Sequence, residues 1–167
     1  AAFGIDKDIV VINLSKNTKG NIVLYTGNSV GTINKFLYTE GVFSESLSHH
    51  VERDAQITDL KTISVDGNIL VVYSSDDNYI YCLSENLEYL WSYKTLGDVK
   101  GLDFIKGEKE TLLIAISEDG FLHVLHLDGR KKWTYPLYNP LEKILVYNDE
   151  IFISNYDGDI MKLNIID

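Results

Sequence analysis

The sequence predicts an all-β protein: a β-propeller of about four four-stranded blades, either closed by its own N-terminal strand or forming half of a larger ring. Three observations predict it. Residues 57–93 run apolar strand, turn, apolar strand (69–73), acidic turn (Asp76-Asp77-Asn78), strand (79–83), turn, and then Tyr89, Trp91 and Tyr93. A step of 42 positions lays Trp91 on Trp133, Tyr93 on Tyr135, Leu83 on Leu125 and Asp77 on Asp119. Turn residues recur between apolar runs at Gly31, Asn78, Gly120 and Gly158, which are 47, 42 and 38 positions apart. Four short strands per unit of roughly 40–45 residues mark a propeller blade, and the uneven spacing belongs to loops.

The elements follow in order. Residues 1–5 are apolar and begin eight positions before Ile9, as Trp91 precedes Val99 and Trp133 precedes Leu141. They fall where the fourth strand of a preceding blade belongs, and are expected to complete the last blade. Residues 9–14 (Ile-Val-Val-Ile-Asn-Leu) are β-branched and read as a strand, and 16–20 as a polar connection. Residues 22–25, 32–37 and 42–47 complete a first blade over 9–47, with Gly27-Asn28-Ser29 supplying turn residues that tolerate positive φ. The polar segment 49–56 reads as a loop. Further blades are expected over 57–93, 99–135 and 141–165, all within one domain of residues 1–167.

The first strands of these blades carry Ile57, Leu60 and Ile63, then Val99, Leu102 and Ile105, then Leu141, Ile144 and Tyr147. A spacing of three suggests a helix. About seven residues between turn signals is too short for one, and the surrounding pattern is β, so these segments read as strands. Both prolines, Pro136 and Pro140, lie in the connection between the third and fourth blades.

Composition narrows the function classes. At 167 residues and 45% hydrophobic, the chain can bury a core as one domain. Its formal net charge of −10 repels nucleic acid and anionic membranes, and Arg130-Lys131-Lys132 is the best basic patch against that field. No apolar run approaches the roughly 20 residues that span a bilayer. Residues 1–6 lack the regions of a signal peptide, and Cys82 is the only cysteine, so the expected compartment is reducing and cytoplasmic.

Residues 71–93 and 113–135 resemble the repeat of PQQ-like (quinoprotein-type) propellers. There a strand, an acidic-Gly turn, a Leu-ending strand and a Leu-Asp-Gly-type turn precede a Trp, and Leu127-Asp128-Gly129-Arg130-Lys131-Lys132-Trp133 is the nearest match. Residues 99–127 also resemble WD40 repeats in strand and turn order, without the Gly-His and Trp-Asp dipeptides. The resemblance implies a propeller. As an activity it would imply a PQQ-dependent dehydrogenase, whose ring of about eight blades carries calcium and dedicated cofactor contacts; this chain supplies about half such a ring and places none of those contacts.

Individual residues support little chemistry. Asn155-Tyr156-Asp157-Gly158-Asp159 is the most calcium-like cluster, but hairpin turns already call for Asp and Gly there. His49 and His50 have no cysteine or third histidine near them in sequence, so no zinc site is expected. No nucleophile elbow, phosphate-binding glycine loop or His-Glu-x-x-His occurs. No catalytic residue, metal or cofactor is assigned. Tyrosines such as Tyr138 and Tyr156 could also serve a glycan- or other ligand-binding surface. The turns after second and fourth strands share one side, and there lie His49, His50, Asp76, Asp77, Glu118, Asp119, Tyr138, Tyr156 and Asp157. The expected function is a non-enzymatic scaffold whose acidic, aromatic face docks a protein partner through a basic segment, with a homodimer as a further possibility and with neither nucleic acid nor membrane.

Overall fold

The computed structural model describes residues 8–50, 54–107 and 109–164. Four antiparallel sheets follow one another along the chain. Sheet A holds β1 (Ile9–Lys16), β2 (Ile22–Asn28), β3 (Thr32–Thr39) and β4 (Val42–His50). Sheet B holds β5 (Ile57–Val65), β6 (Asn68–Ser75), β7 (Tyr79–Ser84) and β8 (Tyr89–Lys94), and sheet C holds β9 (Val99–Lys106), β10 (Thr111–Ser117), β11 (Phe121–His126) and β12 (Lys131–Pro136). Sheet D holds β13 (Leu141–Tyr147), β14 (Glu150–Asn155) and β15 (Ile160–Asn164). The expectation that residues 1–5 add a fourth strand to it falls outside the described residues. Each sheet is a meander in chain order, and β1 packs on β5, β5 on β9 and β9 on β13. The first strands therefore line the inside and the fourth strands lie outermost, a propeller-like arrangement.

The odd spacing of the first strands has a physical cause. β1, β5, β9 and β13 each carry a bulge after their first residue, where the register jumps at Ile9/Val11, Ile57/Asp59, Val99/Gly101 and Leu141/Lys143. One inserted residue reverses the alternation, so Ile57 and Leu60 share a face although three apart. Val99 and Leu102 repeat this. His49 and His50 correct the sequence reading: they are strand residues at the end of β4, opposite Ile33 and Thr32, because the ladder runs past the polar sequence boundary.

Three apolar clusters fill the spaces between successive sheets. Tyr25, Ile33, Ile57, Leu60 and Tyr73 pack between A and B. Val72, Ile80, Cys82, Leu102 and Leu125 pack between B and C, and Ile114, Ile116, Leu141 and Ile153 between C and D. β6 and β10 are buried on both faces, which is why Val71-Val72-Tyr73 and 112–116 read as unbroken apolar runs. Burial pushes the Cys82 thiol up to about 12, so it behaves as a small hydrophobe.

Trp91 clamps neighbouring sheets. Its Nε1–H donates to the Leu127 carbonyl of sheet C at 3.0 Å. Gly129 has φ +86°, and a Cβ there would come within 2.7 Å of the indole. The Leu-Asp-Gly turn thus needs glycine both for its backbone and for the ring lying on it.

Candidate protein-docking face

The hairpins joining second to third strands are built by one device. The second strand ends in Asn28, Ser75, Ser117 or Asn155, all buried. Each side-chain oxygen accepts a backbone N–H two residues on: from Val30 at 3.1 Å, Asp77 at 3.4 Å, Asp119 at 3.2 Å and Asp157 at 3.1 Å. Such side chains imitate a turn and release the chain into φ > 0 at Gly31, Asn78, Gly120 and Gly158.

Two of the expected partner-binding carboxylates are thereby turned inward. Asp77 accepts the N–H of Tyr79 at 3.1 Å and the hydroxyl of Tyr81 at 2.6 Å. Asp119 accepts the N–H of Phe121 at 3.0 Å and that of Leu96 at 3.1 Å, and its Oδ2 lies 3.1 Å from His123 Nε2. With Nε2 protonated toward that carboxylate, Nδ1 can accept from the Tyr93 hydroxyl at 3.3 Å. Burial lowers the His123 pKa below its ordinary value, against the opposing pull of Asp119. Asp77–Tyr81 and Asp119–His123 are one repeated brace with the ring exchanged.

The junction of sheets C and D gathers the remaining features. Lys100, the bulge residue of β9, lies 2.8 Å from Glu118 and 3.4 Å from Asp98. Burial opposes the Lys100 charge, but the hydrogen bond and charge of Glu118 outweigh it and raise the pKa; the same bond lowers that of Glu118. The Tyr156 hydroxyl donates to Glu118 at 3.3 Å across the sheets. Leu137 N–H donates to the Gly120 carbonyl at 2.8 Å, and Asn139 Nδ2 to Asp157 at 3.2 Å. Tyr138, at φ +65°, projects from this braced loop with 87% of its surface exposed.

Glu118, Asp119, Tyr138, Tyr156 and Asp157 are therefore brought together at one junction. Asp76 is exposed on the corresponding turn of sheet B. His49 and His50 lie on the outermost strand of sheet A, where His50 Nδ1 lies 3.1 Å from the Thr32 hydroxyl and Nε2 lies 3.4 Å from Asp54. Burial and then the neighbouring His50 lower the His49 pKa. Sequence reasoning missed Lys100 and Asp98. The bulge that aims Lys100 was marked in advance by the three-residue spacing of Val99 and Leu102. In the Asn155 cluster, Asn155 Oδ1 also accepts from Asp159 N–H at 2.9 Å, and Asp157 accepts from Asn139. Among the described residues no three His, Cys, Asp or Glu side chains converge as metal ligands.

Two hollows adjoin this frame. A cavity of about 430 Å³ is bordered by all four innermost strands, with Asp59, Lys61, Lys100 and Lys143 on its wall. A larger cleft of about 800 Å³ opens between sheets A and B toward the opposite face. There Lys35 is buried at the position taken by Cys82 in sheet B and Val124 in sheet C. Its ammonium donates to the Glu85 carbonyl at 2.8 Å, and the Tyr25 hydroxyl donates to the same oxygen at 3.5 Å.

Four stacked antiparallel meanders with braced hairpins on one side define an all-β, propeller-like protein. No family model matches the sequence, and no curated protein matches it. Among solved structures, the computationally designed Ika4 protein is similar over 99% of this chain and 96% of its own, with 16% identity and a TM-score of 0.76. BBS1N, crystallised in complex with ARL6DN, is similar in its mercury- and lead-soaked crystals at 12% and 13% identity, with TM-scores of 0.74 and 0.75. These alignments cover 92% and 95% of this chain but 46% and 49% of BBS1N, so the chain spans about half its length. At such identities the likeness is one of fold.

Proposed function

We propose that each sheet is one propeller blade and that the chain is a non-enzymatic protein-interaction scaffold. The docking surface is the junction of sheets C and D, around Glu118, Tyr138, Tyr156 and Asp157, extended by Asp76. The observation that carries this reading is the inter-sheet bracing by Lys100–Glu118–Tyr156 and Asn139–Asp157, which holds an exposed tyrosine among carboxylates on a rigid frame. Preorganised aromatics of this kind anchor interfaces at low entropic cost, and the acidic surround favours a basic segment on the partner. BBS1N, similar in fold, was crystallised with a protein bound. Asp77 and Asp119 act in this reading as braces beneath the surface.

Titration with fluorescent lysine- and arginine-rich peptides tests it. Tyr138→Ala combined with Asp76→Lys and Asp157→Lys should weaken binding at least tenfold, while Asp149→Lys on the other face should leave it unchanged. Equal binding by both variants would remove the face from consideration. A quinoprotein-type oxidoreductase would instead show quinone absorbance in the purified protein. One observation favours a second reading, a small polar ligand in the A–B cleft: buried Lys35 is paired with partly exposed Glu85 on the wall of an 800 Å³ hollow. Hits on a glycan array that vanish with Lys35→Met would support it.

A further inference from the structure

We propose that a second copy of this chain completes the ring, with the outer face of sheet D of each copy packed on the outer face of sheet A of the other. The inference is independent of the docking surface. It rests on comparing equivalent positions, which the four bulges fix without ambiguity.

Each internal sheet meets its predecessor through the same first-strand positions. Ile57 and Leu60 meet sheet A, Val99 and Leu102 meet sheet B, and all four are at most 1% exposed. The equivalent residues of sheet A are Ile9 and Ile12, 45% and 67% exposed. Each sheet likewise meets its successor through a third-strand position held by Ile33, Ile80 and Leu122, at 0–1% exposure. In sheet D that position is Ile160, 78% exposed, and Leu145, on the same face two strands away on β13, is 59% exposed. Sheet A thus presents the surface a preceding sheet covers, and sheet D the surface a following sheet covers. These are the two halves of one interface, found at the two ends of one arc.

Among the described residues nothing covers either half, so the arc does not bury them against each other. The same four sheets superpose on about half of the longer BBS1N chain at a TM-score of 0.75, consistent with an arc of a larger ring. A two-fold axis through the centre would place D on A′ and D′ on A, satisfying both surfaces at once with closed symmetry. Large apolar patches left in water otherwise invite unspecific association.

Light scattering with charge-swapped variants tests this. Wild type should show twice the 19.0 kDa chain mass at high concentration. Ile12→Lys alone and Leu145→Asp alone should each show the single mass with unchanged circular dichroism. Mixing the two should restore the doubled mass, because one junction is then untouched and the other pairs Lys with Asp. Wild type at the single mass, variants that keep the doubled mass, or mass growing beyond two copies into open chains would each overturn the proposal. Should a variant lose its β signal, amide exchange of wild-type β1 and β15 decides: protection that disappears on dilution supports the second copy, and protection independent of dilution overturns it.

Discussion

Sheets B and C differ from sheets A and D in what surrounds them far more than in what they are made of. Leu102 and Ile12 occupy the same place after the same bulge, yet one is wholly buried and the other mostly exposed. Ile80 and Ile160 repeat the contrast on third strands. An apolar residue at a core position acquires its energy only when a neighbour closes over it. In a stacked-sheet protein that neighbour is the adjoining unit, so stability is a property of junctions.

That contrast can be broken by one pair of substitutions, which carries the largest expected effect. Leu102→Ala should cost about 2–5 kcal/mol in urea unfolding, since it removes a fully buried side chain between two sheets. Ile12→Ala should change the unfolding of an isolated chain by no more than about 0.5 kcal/mol, as exposed positions do. Comparable losses at both would mean that sheet A is covered in solution.

The braced hairpins offer a second comparison, between sheets C and D. Asp119 is largely buried and accepts two backbone N–H groups and a histidine, whereas Asp157 is exposed. Asp119→Ala should lower stability by about 1–3 kcal/mol, because it strands buried donors. Asp157→Ala should stay within about 0.5 kcal/mol and act on partner binding instead. Thermal melts of the two variants side by side decide whether the acidic turns divide into braces and surface as described.

Much of the fold was legible because it is written in short-range patterns. The Trp91-to-Trp133 step, the Asp-Gly turns and the β-branched runs each reflect a local rule. The bulges left a trace as well, in the spacing of Val99 and Leu102: one inserted residue turns a period of two into a spacing of three, so the segments could be read as strands by their length while the bulge itself went unread. The strand character of His49 and His50 was not legible, since ladder pairing with Ile33 and Thr32 overrides their polarity. The candidate face divided along the same line. Asp77 and Asp119 could be placed in turns, but their inward aim depends on Tyr81 and His123 four residues on. Nor could Lys100 be linked to Glu118 before the strands were aligned. The spacing of Asp-x-aromatic-x-Tyr/His was in the sequence throughout and is the signal that would have found the braces.

A smaller effect separates two buried tyrosines at the A–B junction. The Tyr25 hydroxyl reaches the Glu85 carbonyl, while that of Tyr73 has no hydrogen-bond partner among the described residues. Burial raises both phenol pKa values well above the ordinary range. Tyr73→Phe should be neutral or stabilise by about 1 kcal/mol, because it removes an unsatisfied polar group and keeps the ring stacked on Tyr81. Tyr25→Phe should instead destabilise by a similar, somewhat smaller amount. If the two variants shift the unfolding midpoint in the same direction, hydrogen bonding does not distinguish them.

The finest comparison is between the two braces themselves, Tyr81 in sheet B and His123 in sheet C, because only a histidine has an ordinary pKa near neutrality. Burial depresses the His123 pKa, so the unfolded chain takes up its proton first as pH falls from an ordinary value of about 6.5. Below that point the unfolded state binds more protons than the folded state. The contribution of neutral His123 to stability is therefore full above the unfolded pKa and is lost as pH falls toward the lowered folded value. Replacing the ring by the one its sister brace uses, His123→Tyr, should remove this step and reduce the loss of stability as pH falls below about 6.5, measured as urea midpoints. An unchanged slope in His123→Tyr would assign the acid sensitivity to His49, whose pKa burial also lowers, because the stability held by the depressed pKa of Glu118 disappears only at lower pH.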